Sequence, residues 1–80
     1  MKISIVAFGI AREIMKSRTL ALELEPGSTI AQLKQMLVHQ FPDLASLRSL
    51  SFAVGEDYQE DNYVLHEGDE VVVIPPVSGG

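Results

Sequence analysis

Glu70-Val71-Val72-Val73-Ile74, running straight into Pro75-Pro76-Val77-Ser78-Gly79-Gly80, is the stretch that decides the fold. Four consecutive β-branched residues make it the most strand-prone run in the chain. It is too apolar for a sheet edge, where exposed backbone groups are normally guarded by charge. The run is therefore read as a central strand. The two prolines end it, because each fixes φ and brings no N–H to a ladder. The two glycines beyond carry no Cβ, so the terminal carbonyl passes where other residues clash. At roughly 3.3–3.6 Å per extended residue, residues 75–80 reach about 20 Å from the body. The division that follows is a domain at 1–74 and an extended tail at 75–80. Such an ending fits a terminus made to enter another protein's active site, and it equally fits a frayed end that happens to finish in glycine.

A partner for that strand lies at the other end of the chain. Lys2 to Phe8 reads KISIVAF, with Ile3, Ile5 and Ala7 on one face and Val6 and Phe8 on the other. Both faces are largely apolar, so this strand is expected to be covered on both sides and to sit beside the last one. Gly9 breaks it, and Ala11–Lys16 has room for one or two helical turns. Thr19–Glu25 (TLALELE) alternates, with Leu20, Leu22 and Leu24 inward, and pairs antiparallel with the first strand. Pro26-Gly27 is a turn. Thr29 is the N-cap of a helix over Ile30–Gln40, with Gln32 completing a capping box. Ile30, Leu33, Leu37 and Phe41 form its apolar stripe, widened by Met36 and Val38, and Pro42 stops it. Asp43–Ser49 is a connector with a short helical turn. Leu50–Val54 is a strand with Leu50, Phe52 and Val54 inward. Gly55-Glu56-Asp57 turns the chain, Tyr58-Gln59 starts a short edge strand, and Tyr63-Val64-Leu65 tucks back onto the core. The result is an α+β fold with one main helix across a mixed sheet, its first and last strands central and parallel. That is the β-grasp, or ubiquitin-like, architecture.

Composition narrows the function. Eighty residues make one small domain, with ~3–5 kcal/mol of stability typical of the size. The chain has no cysteine, which excludes disulfides, a thiolate nucleophile and a cysteine metal site, and fits a reducing compartment. No signal-peptide pattern or apolar run of ~20 residues is present, so a cytoplasmic protein without membrane contact is expected. The net charge of −5 argues against nucleic acid, which needs Lys and Arg to replace counterions.

Side-chain chemistry is sparse. Neither His39, on the polar side of a helix, nor His66, in a loop, has a nearby carboxylate or second histidine at ligand spacing, and both read as surface polar residues. Carboxylates gather at Glu56, Asp57, Glu60 and Asp61, and at Glu67, Asp69 and Glu70. Paired acids bind Mg²⁺ or act as acid and base, but these fall in turns, where acidic residues are common for local reasons. A docking surface for a basic partner stays open. No metal site, phosphate loop or permanently bound cofactor is expected, and the tail becomes the best candidate by elimination. A C-terminal carboxylate is inert until ATP adenylates it. It then accepts a sulfur donor, giving a thiocarboxylate, or an amine, giving an amide.

Gly68-Asp69-Glu70-Val71, then Pro75-Pro76-Val77-Ser78-Gly79-Gly80, with Phe8-Gly9 and Ala11-Arg12-Glu13 near the start, resembles the small subunits of molybdopterin synthase. These are MoaD-type sulfur carriers, and the resemblance covers the full length. It implies that Gly80 is adenylated by an activating enzyme related to ubiquitin E1, which uses ATP, and is then converted to a thiocarboxylate with the help of a sulfur donor protein. Gly79 would keep the tail narrow enough to enter. The tail would insert into a large synthase subunit, in a heterotetramer, and give sulfur to precursor Z to form the molybdopterin dithiolene. The large subunit would supply catalysis. By the same resemblance Phe8, Tyr58 and Ile74 match an apolar partner surface, continued by Pro75, Pro76, Val77 and Ser78. Tyr58 departs from the aliphatic residue often found at its position. Core packing is the competing reading for Phe8, Tyr58 and Ile74. Three other readings remain: a thiamine-pathway sulfur carrier, a ubiquitin-like modifier of lysines, and a β-grasp interaction module whose terminal glycines are incidental. Carriers of the thiamine pathway also end in Gly-Gly but are typically shorter, and the Pro-Pro is less expected in them.

Overall fold

A computed structural model describes residues 1–47 and 50–76. In order, the elements are β1 (Lys2–Ala7), α1 (Gly9–Met15), β2 (Thr19–Glu23), α2 (Ile30–Gln40), a 3-10 turn (Pro42–Ser46), β3 (Ser51–Val54), β4 (Asp57–Gln59) and β5 (Glu70–Ile74). The sheet order is β2-β1-β5-β3-β4. β1 and β5 are parallel neighbours, with Ile5 opposite Val71 and Ala7 opposite Val73, and the remaining pairs are antiparallel. The run Glu70–Ile74 thus has a strand on each side, with Val71, Val72 and Val73 paired on both. This is the β-grasp arrangement read from the sequence.

The core lies between the sheet and α2. Ile3, Ile5 and Ala7 of β1, Val71 and Val73 of β5 and Phe52 of β3 form one cluster with Ile30, Leu33 and Leu37 of α2. Leu44 and Leu65 close it from the connections, and Ala11 and Met15 anchor α1 in it. At ~25 cal/mol per Å² of apolar surface removed from water, these side chains are the main stabilising term. α2 begins as expected. The Thr29 hydroxyl accepts from the Gln32 N–H, and the Gln32 side chain accepts from the Thr29 N–H at 2.8 Å. It ends at Gln40, before Pro42.

Several expectations need correcting. The first strand stops at Ala7, and its second face is not covered: Lys2 and Ser4 are exposed and Val6 is half-buried. Both helices contribute to a core on the other side, so the apolar Val6 has no helix above it. α1 starts two residues earlier than its sequence signal, because Gly9 takes φ +55 and turns directly into the helix. Leu20 and Leu22 are only half-buried because β2 is an edge strand, whereas Leu24 just beyond it is buried. Met36 is exposed, so the stripe of α2 is narrower than its hydrophobic residues suggest. In β3, Val54 is half-buried at the strand end, while Ala53 on the opposite face is buried, between its register partners Val72 and Tyr58. Asp57 belongs to β4 and leaves Gly55-Glu56 as the turn. Leu65 reaches the core, but Val64 is exposed in an isolated bridge to Thr29. Of the connector Asp43–Ser49, residues 48 and 49 lie outside the described residues.

The cap and the core should separate in stability. Thr29→Ala is expected to cost about 1 kcal/mol. Leu37→Ala, which empties a fully buried site, should cost about 2–5 kcal/mol. Urea denaturation of the two variants beside the wild type measures both.

Candidate functional site

The alternation of each strand divides the sheet into a helix-covered face and an open one. On the open face the registers join Thr19, Val6, Val72, Ala53 and Tyr58 into a single row across all five strands. A second group lies toward the edge where β1 and β5 both end. Ile74 is paired with Ser51 there and is half-buried. Phe8 follows Ala7 with its backbone still extended at φ −127 and ψ 160, so its side chain continues the alternation onto the face of Val6. The opposite end of the same face carries the polar register partners Ser4 and Glu70, with the small Ala21 beside Ser4. The apolar half therefore adjoins the point where the chain leaves β5.

Three of the sequence candidates, Phe8, Tyr58 and Ile74, meet on this one face. Phe8 is 49% exposed and Tyr58 is 69% exposed, which removes core packing as the account of either. Ile74 points away from the core that Val71 and Val73 enter, so it is a face residue too. Pro75 and Pro76 follow at the edge, each half-buried. Val77, Ser78, Gly79 and Gly80 lie outside the described residues. Ile10, in the first turn of α1, is 43% exposed; it falls between the strand and the helical stretch expected from the sequence, and no local signal marks it. Val6 and Val72 were likewise readable only as strand residues.

The titratable groups do not form a rival site. His66 does have a carboxylate neighbour, contrary to its sequence context, because the turn at 66–69 closes on itself. The Asp69 carboxylate accepts from the His66 N–H at 2.8 Å and lies 3.8 Å from its Nδ1. That carboxylate is occupied in holding the turn. Glu67 accepts from the Lys2 N–H with both oxygens at 3.2 Å, tying the same turn to β1. Among the described residues no three of His, Asp and Glu are grouped so as to hold a metal ion, and no helix is long and apolar enough to cross a membrane. What the described residues offer is an exposed apolar surface beside the point where Pro75-Pro76 leave the sheet, and such surfaces mark places where proteins meet.

Comparison with known proteins supplies a family and a shared fold. The ThiS family matches residues 5–80. The molybdopterin synthase sulfur carrier subunit of Arabidopsis thaliana is 36% identical over 81 residues, covering 100% of this chain and 84% of the plant protein. A putative molybdopterin converting factor subunit 1 from Pyrococcus furiosus superposes with a TM-score of 0.89 at 21% identity, over 96% of this chain and 99% of that one. A protein–protein complex of subunits 1 and 2 of molybdopterin-converting factor from Helicobacter pylori matches with a TM-score of 0.70 at 22% identity, over 100% of both chains. At these identities the two solved structures establish the shared fold.

The exposure of Phe8 sets an expected outcome. Phe8→Ala should cost under ~1 kcal/mol of stability, as surface substitutions do. Phe52→Ala, in the core, should cost about 3–5 kcal/mol. Equal losses in thermal or urea unfolding would return Phe8 to the core.

Proposed function

The chain belongs to the ThiS family, and from that premise we propose that it is the sulfur carrier subunit of a molybdopterin synthase, with Gly80 as the group that carries sulfur. The observation that carries the reading is the exit of Pro75-Pro76 from a central strand at the edge of an open apolar face. A partner that docks on Phe8, Tyr58 and Ile74 receives the tail in the same movement. The likeness to sulfur carrier subunits over the whole chain supports the choice of chemistry.

In this reading residues 1–74 are the body that a partner recognises and residues 75–80 are the working arm. The first step belongs to an E1-like adenylyltransferase. A Gly80 carboxylate oxygen attacks the α-phosphorus of ATP, pyrophosphate leaves, and an acyl adenylate forms. A sulfur donor at the sulfide level then attacks the acyl carbon, and AMP departs. The product is a thiocarboxylate, whose sulfur is a better nucleophile than the carboxylate oxygen it replaces. The body seats on the large subunit of the synthase through the open face, and Pro75, Pro76, Val77, Ser78 and Gly79 thread the tail inward. There the thiocarboxylate sulfur bonds to a carbon of precursor Z, displacing an oxygen substituent, and water then cleaves the acyl–sulfur bond, leaving the sulfur on the product and regenerating the Gly80 carboxylate. A dithiolene holds two sulfur atoms, so each product consumes two loaded carriers, which suits a heterotetramer with two small subunits. ATP is spent by the activating enzyme and none needs to stay on the carrier. The catalytic residues come from the large subunit.

Incubation of the full chain with activating enzyme, sulfur donor and ATP should raise its intact mass by the difference between sulfur and oxygen, located by fragmentation at Gly80. An unchanged mass would falsify the carrier reading. Deletion of Gly80 should abolish the gain without changing the fold, and a large synthase subunit should co-purify with the carrier.

A further inference from the structure

The two edges of the sheet are protected to different degrees. β4 is three residues long, and Glu56, Asp57 and Glu60 place acid at both of its ends. β2, Thr19–Glu23, is five residues long, contains no proline or lysine, and carries one charge, Glu23, at its end. Edge strands are normally blunted by shortness, charge or proline, because their unpaired backbone groups template another strand. β2 is the edge left open.

The ladder shows which of its groups are unpaired. The Leu24 N–H donates to the Met1 carbonyl at 2.8 Å and the Ala7 N–H to the Arg18 carbonyl at 2.9 Å. Both bonds lie in the register that pairs Ile3 with Leu22 and Ile5 with Leu20. Bonds between antiparallel strands fall on every second residue. Arg18, Leu20, Leu22 and Leu24 therefore turn their backbone groups to β1, and Thr19, Ala21 and Glu23 turn theirs away from the sheet. The Thr19 carbonyl is met there by the Ser17 hydroxyl, at 2.6 Å. Leu20 and Leu22 pack against the core but are only half-buried.

Charge selects the occupant of this edge. Lys16 and Arg18 precede the strand and Glu23 and Glu25 follow it, all four exposed. Glu23 lies 3.0 Å from the Met1 amine, and among the described residues Lys16, Arg18 and Glu25 make no ion pair within the chain. A strand with a basic start and an acidic end complements a second copy of itself laid antiparallel. With Ala21 opposite Ala21, Thr19 stands opposite Glu23, and the outward N–H and C=O groups of all three residues find partners. Leu20 then faces Leu22 in the closer, non-hydrogen-bonded kind of pair, and each covers the other. Arg18 of each copy comes abreast of Leu24 of the other, between Glu23 and Glu25. Centring the pair on Glu23 instead would set like charges opposite one another, which is unfavourable. The same operation on β4, centred on Tyr58, would set Glu56 opposite Glu60.

We propose that β2 is a self-association edge. Two copies of the chain join antiparallel through Thr19–Glu23 about a twofold axis at Ala21, so that the five strands of each continue into one sheet. Joining edge to edge covers neither face, so Phe8, Tyr58 and Ile74 stay accessible in both copies, with the two exits at Pro75 pointing to opposite ends. The contact is small, and small interfaces associate weakly.

Sedimentation equilibrium of the full chain from about 10 μM to about 1 mM should show the average mass rising from one copy toward two. High salt should weaken the association by screening the flanking charges. Ala21→Lys sets two ammonium groups opposite each other at the twofold axis, and Ala21→Glu sets two carboxylates there. Each variant alone should raise the dimer dissociation constant about tenfold, and an equimolar mixture of the two should restore association. Ala21 is exposed, so both variants should unfold as the wild type does. Should either not fold, Arg18→Glu should weaken association and Arg18→Glu combined with Glu25→Arg should recover it. A wild type that stays monomeric at about 1 mM, or a mixture that associates no better than its components, overturns the proposal. Association that persists in both Ala21 variants and disappears with Tyr58→Lys would place the contact on the open face and overturn it as well.

Discussion

Everything in this molecule depends on the parallel pairing of β1 with β5. Parallel neighbours cannot be joined by a tight turn. Nearly the whole chain between Ala7 and Glu70 is therefore a crossover, and it must carry the remaining strands and the helix that covers the core. The ladder is prepared at its start by a turn that grips both strands. The Gly68 N–H donates to the Lys2 carbonyl at 2.8 Å and the Ser4 N–H to the Asp69 carbonyl at 2.9 Å. These contacts join distant parts of the chain, so the loop-closure entropy falls due before the core rewards it. Once formed, the pair places the most apolar strand where neither edge is exposed. It also makes β1 and β5 end together, which brings Phe8, Gly9 and Pro75 to one corner.

The second constraint is that one face of the sheet has no cover. The eleven-residue α2, helped by α1 and by Leu44 and Leu65 of the connections, seals one side of the five-stranded sheet, the side of Ile5, Val71 and Phe52. The apolar residues left on the other side, Val6, Phe8, Val72, Ile74 and Tyr58, are a surface that water tolerates and a partner protein would cover with gain. Their gathering toward the tail edge, with Ser4 and Glu70 at the far end, gives the face a direction. A partner reading it is oriented by the apolar-to-polar gradient as well as by contact.

Much of this was legible in residues close together in sequence. The capping box of Thr29 and Gln32, the stop at Pro42, the alternation of TLALE and the β-branched run EVVVI all act over a few positions, and each formed the element its local chemistry dictates. The failures share a cause. Phe8 and Val6 were read as facing a second layer, because a sequence shows that a side chain is apolar but not whether anything stands above it. His66 was read as lacking a carboxylate, because its partner depends on how the turn closes. Leu20 and Leu22 alternate as core residues do, yet edge position leaves them half-covered.

By itself the sequence determined the kinds of element, their order, the central place of Glu70–Ile74, and an ending whose prolines and glycines single out the chain terminus. Those are properties of backbone propensity and hydrophobic period, which act locally. Only the tertiary structure decided that five strands would align Thr19, Val6, Val72, Ala53 and Tyr58 in one row, and that Gly9 would stand against Pro75. Such neighbours are created by register between strands far apart in the chain. Register is set by the packing of the whole core, and no short window of residues contains it.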